Sequence, residues 1–145
     1  MKKMIRIAFF YVILALIGGV FYREFTKFNG FTGVTVLADV HVHLMVLGVF
    51  MFMILALFVK NLPLLKEKRF SQFMVIYNIG LLLTVIMMVI RGMTQVLTMT
   101  LTSGMSAAIS GMAGIGHILL GIGLILLMIT LLKVNSRKCI KFYSL

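Results

Sequence analysis

Long apolar runs alternate along the chain with short polar segments. Each run comes close to the ~20 residues that a helix needs to cross the hydrocarbon core of a bilayer. The pattern predicts four spanning helices, at about residues 4–22, 36–59, 73–98 and 111–132. These spans would use most of the 145 residues. We therefore expect an all-α protein made of one integral membrane domain, residues 1–145, with short loops.

The composition excludes a water-soluble domain. Hydrophobic residues make up 62% of the chain and charged residues 12%, against about 45–50% and about 25% in soluble domains. The formal charge of +11 would suggest nucleic acid on a soluble protein. Because the basic residues lie between the apolar runs, we expect no nucleic-acid partner and read the charge as a signal of membrane topology.

The basic residues are concentrated in three segments that lie on one side of the membrane if there are four spans. The positive-inside rule then places both termini in the cytoplasm. The expected fold is an antiparallel four-helix transmembrane bundle of the cytoplasmic (inner) membrane, whose basic loop 60–69 contacts anionic lipid headgroups. The residues concerned are Lys2, Lys3, Arg6, Lys60, Lys66, Lys68, Arg69, Lys133, Arg137, Lys138 and Lys141.

Few polar or ionisable residues fall inside the spans. An arginine at the centre of a span costs ~2.5–3.5 kcal/mol on insertion scales, so it should face protein, water or a ligand. At 1.5 Å per residue, the arginine and the histidines lie roughly 8–10 Å from the outer ends of their spans. This common depth predicts a polar pocket in the outer half of the bilayer. Its candidate residues are Asp39, His41, His43, Arg91, Gln95 and His117.

Helical periodicity places some of these residues on shared faces. At about 100° per residue, Thr84, Arg91 and Gln95 fall in one stripe of the third helix. The third helix therefore presents a polar stripe to the pocket, in which Thr84 and Gln95 support Arg91.

In the fourth helix, Gly114, His117 and Gly121 share a face, with one glycine a turn to either side of the histidine. We expect the two glycines to clear space for a neighbouring helix or a flat ligand. This face is the predicted contribution of the fourth helix to the pocket.

The second helix offers two histidines that point in nearly opposite directions, because His41 and His43 are two residues apart. Asp39, four residues before His43, can accept a hydrogen bond from it. The sequence does not choose which histidine faces the interior.

Two interpretations of the pocket remain open. In the functional one, His117 and His41 or His43 bind haem b or a transition metal ion (His43 and His117 for a metal), while Arg91 neutralises a haem propionate or another anion. In the structural one, Arg91 pairs with Asp39 or with a glutamate, Glu24, and the histidines form interhelical hydrogen bonds.

Function is narrowed mainly by missing motifs. The sequence has no P-loop, GxSxG or HExxH motif, so hydrolytic or nucleotide-dependent catalysis is not expected. Our leading hypothesis is cofactor binding in redox or cofactor handling. The alternatives are an oligomeric small-solute or ion transporter or channel subunit, and an assembly partner of a larger membrane complex.

Four segments carry a resemblance that covers nearly the whole chain. Through these segments, the chain resembles a family of small bacterial four-helix membrane proteins known only as a domain of unknown function. The resemblance implies a fold and a membrane location but no activity. HVHLMVLG, residues 41–48, also resembles the H-x-H-L-x-x-x-G helix of haem-binding membrane proteins of the nitric-oxide-response type, which implies that His41 or His43 lies at a haem. The four segments are VFYREFTKFNGFTG (20–33), HVHLMVLGVF (41–50), YNIGLLLTVIMMVIRGMTQVL (77–97) and ISGMAGIGHILLGIGLIL (109–126).

Overall fold

Four helices account for nearly all of the chain in the computed structural model, which describes residues 1–143 and the side chains of residues 1–136. The prediction of an all-α protein with four apolar helices is confirmed, and each helix is long and apolar enough to cross a membrane. The side chains of Arg137, Lys138 and Lys141 lie outside the described residues. The helices are α1 (Lys2–Phe28), α2 (Leu37–Asn61), α3 (Lys68–Val96) and α4 (Ser103–Tyr143).

The helices extend beyond the apolar runs that predicted them. α4 begins at Ser103, although the sequence suggested a loop up to residue 110, and α3 begins at Lys68 instead of 73. α1 ends just before Gly30, which adopts a left-handed backbone with φ of 58° that glycine tolerates without strain. Hydropathy marks only the part of a helix that is apolar, so polar helical ends were assigned to loops.

The four helices pack in a row. α1 packs on α2, α2 on α3, and α3 on α4, while α1 and α4 make no extensive contact in the described part of the chain. Within the described residues, the extensive contact between first and last helices that would close a four-helix bundle is therefore not seen. Lipid solvates apolar side chains as well as another helix does, so α1 and α4 can leave large apolar residues such as Phe9 and Ile118 exposed.

α3 and α4 approach each other through glycines. A Cβ on Gly80 would lie 2.8 Å from the backbone nitrogen of Leu120, and one on Gly116 would overlap the Thr84 hydroxyl. The Cβ of Tyr77 lies 3.0 Å from the position that a Cβ on Gly123 would take. Close backbone approach of this kind is how membrane helices gain packing energy. The interface therefore uses a face of α4 centred on Gly116 and Gly123.

Gly114 and Gly121 do not take part in this contact. A Cβ on either of them would meet no atom within 4 Å. Of the two alternatives expected for these glycines, the neighbouring helix is therefore wrong for the described part of the chain, and the flat ligand stays a prediction. Gly114 and Gly121 each lie two residues, about 200° around the helix, before Gly116 and Gly123, so they point away from the close contact with α3.

α2 contains a π-helical segment, Leu44–Phe50, which begins directly after His43. The backbone N–H of Met51 bonds to the carbonyls of Val46 and Gly48, whereas an α-helix would pair it with the carbonyl of Leu47. The buried Tyr11 ring of α1 packs directly against this segment, because a Cβ on Gly48 would come within 2.6 Å of the Tyr11 Cγ. Segments of this type are rare and often lie at functional sites.

Candidate functional site

A cavity of about 250 Å³ lies where the start of α2, the second half of α3 and the first half of α4 come together. Three of the ionisable residues selected from the sequence line it, one from each of these helices: His43, Arg91 and His117. The remaining lining is mostly apolar and includes two methionine thioethers. The other lining residues are Val36, Met87, Met88, Ile109, Ser110 and Ala113.

Arg91 is held by the first turns of α4. Its guanidinium donates to the Ser106 hydroxyl at 3.2 Å, to the Ser106 carbonyl at 3.1 Å and to the Ser110 hydroxyl at 2.7 Å. The pairing with Asp39 or Glu24, which belongs to the structural interpretation of the pocket, is not seen among the described residues. The charge on Arg91 is therefore solvated by neutral oxygens and remains uncompensated by a carboxylate, beside a largely apolar cavity.

His43 and His117 have the same local arrangement. The Nδ1 of His43 lies 2.9 Å from the Asp39 carbonyl oxygen, and that of His117 lies 2.8 Å from the Ala113 carbonyl oxygen. A carbonyl oxygen can only accept, so each Nδ1 carries the proton when the ring is neutral, and Nε2 keeps its lone pair. In metal-ligating histidines, a hydrogen bond from the ring nitrogen that does not bind the metal fixes the tautomer in the same way. The acceptor that Asp39 offers to His43 is its backbone carbonyl oxygen.

His41 faces a different helix. Its Nδ1 lies 2.8 Å from the Ala15 carbonyl oxygen of α1, and its ring packs where a Cβ on Gly19 would come within 3.3 Å. The structure thus answers a question that the sequence left open: within α2, His43 lines the cavity and His41 packs against α1. His41 is therefore the natural control for any role assigned to His43.

Gln95 and Thr84 lie near the site without lining it. The Gln95 side-chain oxygen accepts the backbone N–H of Val36 at 2.9 Å, which anchors the start of α2. Thr84 is fully buried against Gly116, and its hydroxyl has no hydrogen-bond partner in the described part of the chain. Gln95 therefore positions a helix, while Thr84 belongs to the contact between α3 and α4.

Four polar or sulfur-containing residues at the cavity or its edge were not selected from the sequence. They are Met87, Met88, Ser106 and Ser110. A detectable signal for the serines was their spacing, because residues 106, 110 and 117 recur at helical intervals that lead back to the histidine. No comparable signal distinguished these two methionines from the other eleven of the 13 in the chain.

The arrangement offers two imidazole nitrogens, two thioethers and one guanidinium around an apolar space. In the described part of the chain, no three His, Cys, Asp or Glu side chains lie close enough to hold a metal ion. The cavity is also below the roughly 300–1,000 Å³ of pockets that enclose a drug-sized ligand. Any ligand of that size would have one edge exposed beside the helices.

Comparison with known proteins identifies a family and no activity. The model of the family described as "Protein of unknown function (DUF2871)" matches residues 1–134, so the chain belongs to this family. Neither the curated proteins nor the solved structures include a match.

Proposed function

We propose that this member of a family of unknown function is a cytoplasmic-membrane protein that binds haem b through His43 and His117. The observation that carries the proposal is the pair of histidines whose Nδ1 protons are both engaged by backbone carbonyls. Both Nε2 atoms then keep a lone pair, and both histidines line one cavity. Neutral imidazole is a common axial ligand of haem iron.

The topology that goes with this proposal is an antiparallel four-helix arrangement with both termini in the cytoplasm. Contacts across the row support it, because Gly92 near the end of α3 meets Leu37 at the start of α2, and Arg91 meets Ser106 at the start of α4. The distribution of basic residues supports the orientation. The cavity then lies in the outer half of the bilayer, and the basic loop 60–69 contacts anionic headgroups.

Arg91 and the apolar lining fit the rest of a haem. Three of the five guanidinium N–H groups are used by Ser106 and Ser110, which leaves donors for a propionate. Met87, Met88 and Val36 offer apolar and polarisable surface to a macrocycle. The cavity volume implies that one edge of the porphyrin meets lipid or a partner. Bound haem would supply one-electron chemistry, and the protein would supply ligation, charge neutralisation and orientation.

Transport across the membrane is less well supported than a closed-ended cofactor site. Aromatic rings contact one another between the helices in the N-terminal halves of α1 and α3, away from the cavity. In the same region, the Tyr11 hydroxyl donates to the Asn78 side chain at 2.6 Å. Among residues 1–136, these contacts occupy the space between the helices on that side, where no row of polar side chains leads away from the cavity. The ring contacts run through Tyr11, Phe52, Tyr77, Phe73 and Phe70.

Haem titration of the purified apoprotein in detergent tests the proposal. We expect one equivalent to give the sharp Soret band of a low-spin bis-imidazole haem. His43→Ala and His117→Ala should each weaken binding by ~10-fold or more, equivalent to about 1.4 kcal/mol, and abolish the low-spin spectrum. His41→Ala is the matched control and should retain both. Absence of a Soret shift in the parent protein, or an equal loss in the His41 variant, would contradict haem ligation.

A soft metal ion is the second candidate, favoured by the presence of Met87 and Met88 in the same cavity. Thioether and imidazole ligands together suit Cu(I). At any given distance, Arg91 repels a monovalent ion half as strongly as a divalent one. Elemental analysis of the purified protein separates the candidates, because copper without haem would support this alternative and reject the first.

A further inference from the structure

The π-helical segment of α2 sets the direction in which His43 points. A π turn contains about one residue more than an α turn. Each residue of an α-helix corresponds to a rotation of about 100°. The residues before a π segment are therefore rotated by roughly 100° from the positions that they would have in an uninterrupted α-helix. In α2 the segment Leu44–Phe50 directly follows His43. A regular α-helix through this region would turn His43 to the lipid-facing direction now taken by Val42, which is 54% exposed. Leu44 would turn toward the cavity instead.

The π register deprives one carbonyl of its usual partner. Met51 bonds to Val46 and Gly48, so the Leu47 carbonyl does not receive the N–H that it would accept in an α-helix. The Tyr77 hydroxyl of α3 donates to this carbonyl at 2.9 Å. An unpaired buried carbonyl is costly, so this bond favours the π register over the α register.

The Tyr77 ring is held in place from several sides. It is fully buried, with ring centroids 5.2 Å from Phe73 and 6.2 Å from Phe52. Gly123 of α4 provides the space behind its Cβ. The hydroxyl therefore reaches the Leu47 carbonyl without loss of ring packing.

We propose that Tyr77 is a positioning residue: through the Leu47 carbonyl it stabilises the π register that turns His43 into the cavity with Arg91 and His117. The value of this rotation for ligation rests on the proposed function, but the rotation itself does not. Tyr11 provides a matched comparison, because it is equally buried and also donates one hydrogen bond, to Asn78, with no bond to a carbonyl of the π segment.

Cysteine cross-linking reports the register without any cofactor. In a Cys139→Ser background, one pair carries His43→Cys with His117→Cys, and a second carries Leu44→Cys with His117→Cys. A short bifunctional thiol reagent should join the first pair and spare the second in native membranes. Adding Tyr77→Phe should lower the yield of the first pair about threefold to tenfold, the range expected for one net hydrogen bond, and raise that of the second.

The Tyr11→Phe control separates register from general destabilisation. Both pairs should cross-link in Tyr11→Phe as they do in the parent. Unchanged yields in Tyr77→Phe, or the same shift in both tyrosine variants, would overturn the positioning role. A shifted register in a protein that binds no haem would reject the proposed function and leave the positioning role standing.

Discussion

The contact between α3 and α4 depends on one glycine more than on its neighbour two residues away. A Cβ on Gly116 would overlap the Thr84 hydroxyl and lie 2.9 Å from the Thr84 backbone nitrogen, whereas a Cβ on Gly114 would meet nothing within 4 Å. Gly116→Ala therefore forces two backbones apart, because a backbone atom cannot rotate away as a side chain can. Gly114→Ala adds a methyl group to an open face of the same helix.

Comparing the two variants isolates the free-energy cost of overpacking the contact between α3 and α4. Replacing glycine by alanine in a helix stabilises it by about 1 kcal/mol, and this gain is common to both. Overpacking a tight contact costs typically 1–3 kcal/mol and applies only to Gly116. We expect the free energy of unfolding of Gly116→Ala to lie about 1–3 kcal/mol below that of Gly114→Ala, and Gly114→Ala to be at least as stable as the parent.

Steric trapping in bicelles measures these free energies at equilibrium without denaturing the lipid environment. Both variants carry the same affinity tags, so the difference between them does not depend on the tags. Two variants that agree within about 0.5 kcal/mol, the spread of neutral surface substitutions, would refute the assignment of the helix contact to Gly116. A larger loss in Gly114→Ala would show that the Gly114 face is the buried one.

Three further predictions use the same assay. Thr84→Val removes a buried hydroxyl without a partner and should raise stability by about 1 kcal/mol, whereas Thr130→Val removes a hydroxyl bonded within its own helix and should not raise it. Gly92→Ala would bring a Cβ within 2.7 Å of a backbone nitrogen of α2 and should cost about 1–3 kcal/mol; no loss of stability would contradict this close approach. Lys133→Met breaks the 3.1 Å ion pair with Glu67 and should cost less than about 1 kcal/mol, so a larger loss would show that the pair is more than a surface interaction.

The helices could be predicted from the sequence because each apolar run is long enough to cross a bilayer. The ends of the helices could not be predicted, because polar residues that make tertiary contacts can extend a helix beyond its apolar part. The clearest case is residues 103–110, which carry no charge and resemble a loop, yet are helical and supply the serines that hold Arg91.

The site was only partly predictable for a similar reason. Depth within the spans selected His43, Arg91 and His117, which do line one cavity. Which of His41 and His43 faces the cavity depends on a π register set by Tyr77 on another helix. The spacing of residues within α2 cannot reveal a contact with another helix. The same limit applies to the fourth helix, where helical spacing grouped Gly114 with His117 but could not reveal that Gly116 faces α3.

Haem content per chain, measured by the pyridine haemochrome method on protein purified from its native membranes, tests the proposed function most directly. Haem b ligation by His43 and His117 predicts about one haem b per chain in the parent and in His41→Ala, and little in His43→Ala or His117→Ala. A parent protein purified without haem, or haem retained equally in all three histidine variants, would contradict it.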